Sequence, residues 1–308
     1  MFNERLKNIW FTGTGNFAAL CLENLINEGI KFSKILTGLP TRSGRNGKEN
    51  PSAVELKASS LGLNVSCTGK LSDNKELIAA LESEQPDVIF VVDFGQIIRP
   101  PFLTRMCLNI HPSLLPEYRG AAPIQRSLLD GKDCTGVTVF RLAEAMDAGD
   151  ILAQARTEIR PDDYASDLYP RLADLGCELA VNALNAQTLT FTPQDDSLAT
   201  YAPKLDKSDF TLSFNTTARD FVNRVRALDM SGGAYVMIRG KRVKIWRAAI
   251  CKDFTAQTPG QVLKAKGNPV ITCCGRGVEL LQVQSEGKKK SSGDEWSRGV
   301  RLQYGEIV

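Results

Sequence analysis

A chain of 308 residues that is 43% hydrophobic can build two cores, and two domains are expected. Its eight cysteines include no CxxC pair, which excludes a disulfide frame or a zinc site and favours buried, reduced thiols in a cytoplasmic setting. No apolar stretch approaches a membrane span and residues 1–5 run into a strand without a signal sequence, so a soluble protein with no membrane partner is expected.

The net charge is only +3, but it is uneven. Residues 1–200 hold 19 Lys and Arg against 25 Asp and Glu, a net of −6, whereas 201–308 hold 19 against 10, a net of +9. A basic final third suits a polyanionic partner, although a solvated basic face has the same composition.

In chain order, Asn8–Phe11 reads as a first strand, and Gly13-Thr14-Gly15 turns it into an amphipathic helix over 17–25. Gly13-x-Gly15-x-x-Ala18 nearly matches a dinucleotide fingerprint, but no acidic residue ends the second strand, so the plainer reading is a tight βα turn. Apolar runs at Phe32–Leu36, Leu63–Cys67 and Val88–Val92 alternate with helical patterns at 53–60 and 74–83. Such alternation predicts a Rossmann-like α/β domain with a doubly wound, mostly parallel sheet. Between them, Thr41–Lys48 places Arg42, Arg45 and Lys48 among two glycines, a basic loop suited to gripping phosphate.

A further strand ends in Asn109-Ile110-His111-Pro112. His111 is the only histidine, and the i, i+2 spacing directs Asn109 and His111 to one face of the strand. Pro112 stops the strand and Pro116 stiffens the loop after it. Tyr118, Arg119, Gly120 and Pro123 add costly turn chemistry beside the chain's one imidazole, which favours a functional loop over a packed core histidine. A helix follows at 124–129, then strands at 136–142 and 151–157. Met146-Asp147-Ala148-Gly149-Asp150 lies between those strands, where Asp147 could orient a histidine and fix its tautomer; an ordinary turn aspartate is the simpler reading of that spacing. No G-x-S-x-G elbow supports Ser-His-Asp hydrolysis.

A helix over about 165–184 closes the first domain, residues 1–189. Residues 190–206 carry Pro193, Asp195-Asp196 and Pro203 with little periodicity and read as a linker. Residues 207–308 hold one helix at 217–228 and short β-like runs at 234–238, 242–249, 260–264, 269–273 and 278–284, the pattern of a small OB-like β-barrel.

Asn109-x-His111-x-Ser113-Leu114-Leu115-Pro116-x-Tyr118-Arg119-Gly120 together with Asp147-Ala148-Gly149-Asp150 resembles the signature of the formyltetrahydrofolate-dependent formyltransferases. Gly120–Arg126, the basic loop 41–48 and the basic C-terminal domain with Lys244-Ile245-Trp246 are similar to the members that act on tRNA. The resemblance implies a formyltransferase with 10-formyltetrahydrofolate as donor and the methionine amino group of initiator tRNA as acceptor, working as a monomer without a metal. It implies catalytic roles for Asn109, His111 and Asp147, and a donor site at Ser113, Leu114, Leu115, Pro116 and Phe94, Gly95, Gln96, Ile97. It also implies tRNA contacts at Arg42, Arg45, Lys48 and at Lys241, Arg242, Lys244. A sugar-nucleotide N-formyltransferase is the alternative, but a small acceptor has little use for these cations.

Four stretches depart from the family pattern. Gly15-Asn16 stand where a Pro and an acidic residue are usual, Asp93-Phe94-Gly95 replaces Ala-Tyr-Gly, Leu142–Ala145 lacks the usual Asp and Gly, and Asp229–Gly233 replaces a turn with Pro and Trp.

Overall fold

The computed structural model describes residues 6–43, 48–251, 253–254 and 258–308, with Arg42, Ser43 and Lys48 described by their backbone alone. Its contacts divide the chain into two units. The first comprises residues 1–123, 134–158 and 169–202; the second comprises 124–133, 159–168 and 203–308.

The first unit is built on a seven-stranded sheet. Its strands are β1 (Ile9–Gly13), β2 (Lys34–Gly38), β3 (Ser66–Thr68), β4 (Val88–Val92), β5 (Cys107–His111), β6 (Cys134–Arg141) and β7 (Ile151–Glu158), in the order β7-β6-β5-β4-β1-β2-β3. Strands β1 to β5 are mutually parallel, and β6 runs antiparallel to both its neighbours. All five residues of β1 and of β4 are buried, the continuous burial of a parallel sheet covered on both faces. The helices of this half of the chain are α1 (Asn16–Asn27), α2 (Ala53–Ser60), α3 (Lys75–Glu84), α4 (Pro123–Leu129) and α5 (Ala165–Asn185). Gly176 lets α5 lie directly on the sheet, since a Cβ there would stand 2.5 Å from Ile110 and 2.8 Å from Val137. Strand order reverses between β1 and β4, and in such sheets ligands bind outside the carboxyl ends of the strands, the end at which His111 stands on β5.

The second unit contains α6 (Ala218–Leu228), capped by Thr217, whose hydroxyl accepts the Asp220 amide at 3.0 Å. Its antiparallel sheet comprises β8 (Ala234–Ile238), β9 (Lys241–Cys251), β10 (Val262–Lys264), β11 (Val270–Cys273) and β12 (Arg276–Ser285) in the order β8-β9-β12-β11-β10, with β13 (Ser291–Ser292) paired to β12. A last helix, α7 (Gly293–Gly299), starts in a capping box of Ser292 and Glu295. The segments from earlier in the chain are tied in by charged and polar groups. Arg126 makes a bidentate pair with Asp209 at 2.8 Å for each bond, Arg226 donates to the carbonyl of Arg160 at 2.8 Å, and the Tyr164 hydroxyl donates to the carbonyl of Ala248 at 3.1 Å.

Three sequence expectations change. Residues 41–48 include two three-residue strands, Thr41–Ser43 and Lys48–Asn50, where a loop was expected. The stretch read as a linker contains Tyr201–Ala202, paired in parallel with Arg119–Gly120. Cysteine burial is mixed: all eight are free, but only Cys21, Cys107, Cys177 and Cys273 are buried. Cys67 and Cys274 are exposed because Cys67 lies on edge strand β3 and Cys274 in the turn after β11.

Candidate active site

His111 ends β5 and is 5% exposed. Its Nε2 lies 2.9 Å from the carbonyl oxygen of Tyr118. A carbonyl only accepts, so Nε2 carries the proton and Nδ1 keeps its lone pair in the neutral ring. Nδ1 faces Asp147 Oδ2 at 3.9 Å, too far for a hydrogen bond. The aspartate was expected to fix the tautomer. The Tyr118 carbonyl does so instead, aimed by a backbone in the left-handed region at φ 59°. Asn109, two residues back on the same face, is half-buried, and among the described residues its amide has no protein hydrogen-bond partner.

Asp147 sits on the β6–β7 connection with φ 53°, in the left-handed region that favours glycine and that aspartate enters more readily than most side chains. Its Oδ2 accepts the backbone N–H of Gly120 at 2.7 Å. Gly149 is obligatory here, because a Cβ would stand 1.8 Å from the carbonyl oxygen of Arg141. Gly120, at φ 123°, has the Ala202 carbonyl oxygen 2.7 Å from where a Cβ would be, so no side chain fits there. β5 and two turns thus set the imidazole beside the carboxylate, with Asn109 two residues back on the same strand.

The loop after His111 is braced from beneath. The Leu115 amide donates to Thr138 Oγ1 at 3.1 Å, that hydroxyl donates to the Ser113 carbonyl at 2.7 Å, and Gln154 Nε2 donates to the Leu115 carbonyl at 2.9 Å. The Leu115–Pro116 peptide is cis, and the Ser113 hydroxyl donates to the Glu117 carbonyl at 2.6 Å. Of the second expected donor stretch, Phe94 is half-buried against the core around Trp10, Gly95 is exposed and Ile97 is 71% exposed. Gln96 is engaged at both ends of its amide, accepting from the Leu71 amide at 3.1 Å and donating to the Gly69 carbonyl at 2.8 Å. Among the described residues no hydrogen bond joins Phe94–Ile97 to Ser113–Pro116.

The glycine turn has no room for a pyrophosphate. The carbonyl of Asp93 accepts the amides of Thr14 and Gly15 at 3.1 and 3.2 Å. Its carboxylate lies so close over Gly15 that a Cβ there would stand 1.8 Å from Oδ2. Although the residue is exposed overall, this inward turn of the carboxyl desolvates it and raises its pKa above the ordinary carboxylate range, while the Phe17 and Ala18 amides pull the other way.

The expected tRNA contacts divide. Arg45 lies outside the described residues, and Arg42 and Lys48 belong to the paired strands at 41–43 and 48–50. On β9, Arg242, Lys244 and Trp246 alternate with buried Val243 and Ile245 and so share the outward face, while exposed Lys241 begins the strand. Arg242 stacks on Tyr235 at 4.3 Å, and the Lys244 and Lys290 ammoniums stand 5.6 and 3.4 Å from the Trp246 ring. Trp246 Nε1 donates to Gln284 Oε1 at 3.0 Å, and Gln284 Nε2 donates to the Lys288 carbonyl at 2.8 Å, which ties the Lys288–Lys290 run to this face. Sequence reading picked out the cations and the Lys244-Ile245-Trp246 stretch, but not Tyr235 or the seating of cations on the rings.

Comparison with known proteins agrees with this geometry. Methionyl-tRNA formyltransferase of Syntrophus aciditrophicus is 36% identical over 308 residues, covering 98% of each chain, and that of Lactobacillus gasseri is 36% identical over 301 residues, covering 96% of each. Among solved structures, HypX from Aquifex aeolicus matches with a TM-score of 0.66 at 18% identity, over 98% of this chain and 49% of that one. The sugar 3N-formyl transferase WlaRD matches with a TM-score of 0.64 at 18% identity, over 92% and 99% of the two chains. Identity that low speaks for the fold alone. The pattern of the formyl transferase family covers residues 6–184 and that of its C-terminal domain covers 204–301, and with relatives 36% identical along nearly the whole length, this chain belongs to the formyl transferase family.

Proposed function

We propose that the protein transfers the formyl group of 10-formyltetrahydrofolate to the amino group of methionyl initiator tRNA, yielding N-formylmethionyl-tRNA for translation initiation in the cytoplasm. Residues 1–189 carry the chemistry and 207–308 the tRNA contact in this reading. The observation that carries it is a buried imidazole with a carboxylate 3.9 Å from its Nδ1 on a strand end that also carries Asn109, whose amide has no hydrogen-bond partner among the described residues, in a chain whose nearly full-length relatives bear that activity in their names.

The acceptor amine attacks the formyl carbon, forming a C–N bond and an oxyanion, and the bond to the folate nitrogen then breaks. Asn109 donates to the oxyanion, a contact worth about 3 kcal/mol by analogy with similar donors. His111 receives the amine's proton at Nδ1, since Nε2–H is held by the Tyr118 carbonyl, and returns a proton to the leaving nitrogen. Asp147 favours the imidazolium while it lasts. The donor site suits a flat aromatic head group: the braced loop Ser113–Pro116 offers backbone groups, and Phe94 with exposed Ile97 offers apolar surface. No metal is called for by the chemistry.

The test is a formylation assay with 10-formyltetrahydrofolate, offering charged initiator tRNA and amino-sugar nucleotides side by side. Formylation of the tRNA is expected. Turnover confined to the amino sugars would replace this reading with a sugar-nucleotide N-formyltransferase.

A further inference from the structure

The stretch that looked like a linker reaches back to the site. Ile151 and Thr192 exchange both backbone hydrogen bonds at 2.8 Å, the Tyr118 amide donates to Thr200 Oγ1 at 2.8 Å, and the Ala121 amide donates to the Ala202 carbonyl at 2.9 Å. Between these anchors lies Gln194, half-buried. Its Nε2 donates to the carbonyl of Asp147 at 2.9 Å and to that of Gly149 at 2.7 Å. Its Oε1 accepts from Arg119 Nε at 3.1 Å and Nη2 at 2.7 Å. Both donors and both lone pairs of the amide are used, and the orientation is unambiguous, because carbonyls only accept and a guanidinium only donates. Arg119 is itself buried, at 4% exposure, and is anchored a second time by Asp196 at 2.7 Å.

We propose that Gln194 is a positioning residue for formyl transfer. It holds the left-handed Asp147 backbone so that the carboxylate keeps its station beside His111, and it couples that turn to the Arg119–Gly120 backbone whose N–H binds the same carboxylate. A left-handed backbone at a residue that carries a side chain is kept in place by the contacts around it. Here Gln194 acts on the Asp147 main chain and Gly120 on its side chain. Arg119 links the two, lying next to Gly120 in the chain and bonded to Gln194 in space.

The proposal rests on the reading of Asp147 given above, and the experiment separates the two. Steady-state formylation is measured on the full chain for Gln194→Glu, which keeps Arg119 and puts an oxygen against the two carbonyls, for Asp147→Ala, and for the double variant. Gln194→Met, uncharged and similar in volume, serves if the glutamate variant does not fold, and thermal unfolding establishes the folded fraction of each. The expected result is a fall in kcat on the order of tenfold to a hundredfold for a misplaced carboxylate, with KM for both substrates within about twofold of wild type. The loss should largely vanish in the Asp147→Ala background, because both changes act through one group. Folded Gln194 variants with wild-type kcat, beside a crippled Asp147→Ala, would overturn the proposal, as would an equal loss with and without Asp147 or a change in KM alone. Wild-type turnover in Asp147→Ala would remove the reading beneath it, and the proposal with it.

Discussion

The strand-end site and the outward face of β9 handle polar groups in opposite ways. Around His111 nearly every donor has a directed partner: imidazole on carbonyl, carboxylate on amide, glutamine bonded four times. On the β9 face Arg242 rests over the Tyr235 ring, and Lys290, from the segment after β12, rests over the Trp246 ring, an arrangement that fixes direction loosely; Lys244, 5.6 Å from Trp246, also donates to the Gly232 carbonyl at 2.7 Å. Moving one proton at one atom demands fixed angles, and small misplacement is costly. Attracting a polyanion demands charge at roughly the right place, and side chains seated on aromatic faces deliver it without rigid order.

The largest effects should come from the ordered side. His111→Ala or Asn109→Ala should lower kcat on the order of a hundredfold or more with folding intact, and a folded His111→Ala enzyme with wild-type turnover would erase the contrast. Charge removal at Lys241, Arg242 and Lys244 should instead raise KM for tRNA on the order of tenfold, leave kcat in place and flatten the salt dependence by roughly 0.7–0.9 in log–log slope for each phosphate that is no longer neutralised. A drop in kcat without a change in salt slope would show that this face orients rather than attracts. Trp246→Leu should have a milder effect of the same kind, a rise in KM of about twofold to fivefold, read against the same salt series.

How much of this was legible beforehand depends on the range of the interaction. The strands and helices of both units stand close to where periodicity put them, since β1 and β4 are continuous apolar runs and α1, α5 and α6 carry amphipathic patterns. Asn109 and His111 were legible because strand spacing is local. Gln194 was not: its partners lie 45 to 75 residues away, and it sits among prolines and aspartates without period. The strand pair of Arg119–Gly120 with Tyr201–Ala202 is too short to leave a pattern. Helix α7 was missed although Ser292-x-x-Glu295 is a capping-box spacing.

The smallest expected effect concerns Asp93, whose carboxyl is desolvated over Gly15. Its folded pKa lies above the ordinary 3.8. The stability it contributes is therefore complete below about pH 3.8 and is lost as pH rises through the raised value, so the charged form is a burden near neutrality. Asp93→Asn should raise the melting temperature slightly at pH 7 and lose that advantage below about pH 4. A gain independent of pH would point to packing rather than charge.

The second unit's assembly from three separate stretches bears on any attempt to divide or recombine the protein. A cut near residue 203 would not release a catalytic module and a tRNA module. The C-terminal fragment would lose Arg126 from Asp209, the Arg160 carbonyl from Arg226 and the Tyr164 hydroxyl from Ala248, leaving a buried carboxylate and a buried guanidinium without those partners. Orphaned buried charges of that kind are strongly destabilising, so chimeras made by exchanging ends at this joint should fold poorly unless residues 124–133 and 159–168 travel with the C-terminal half.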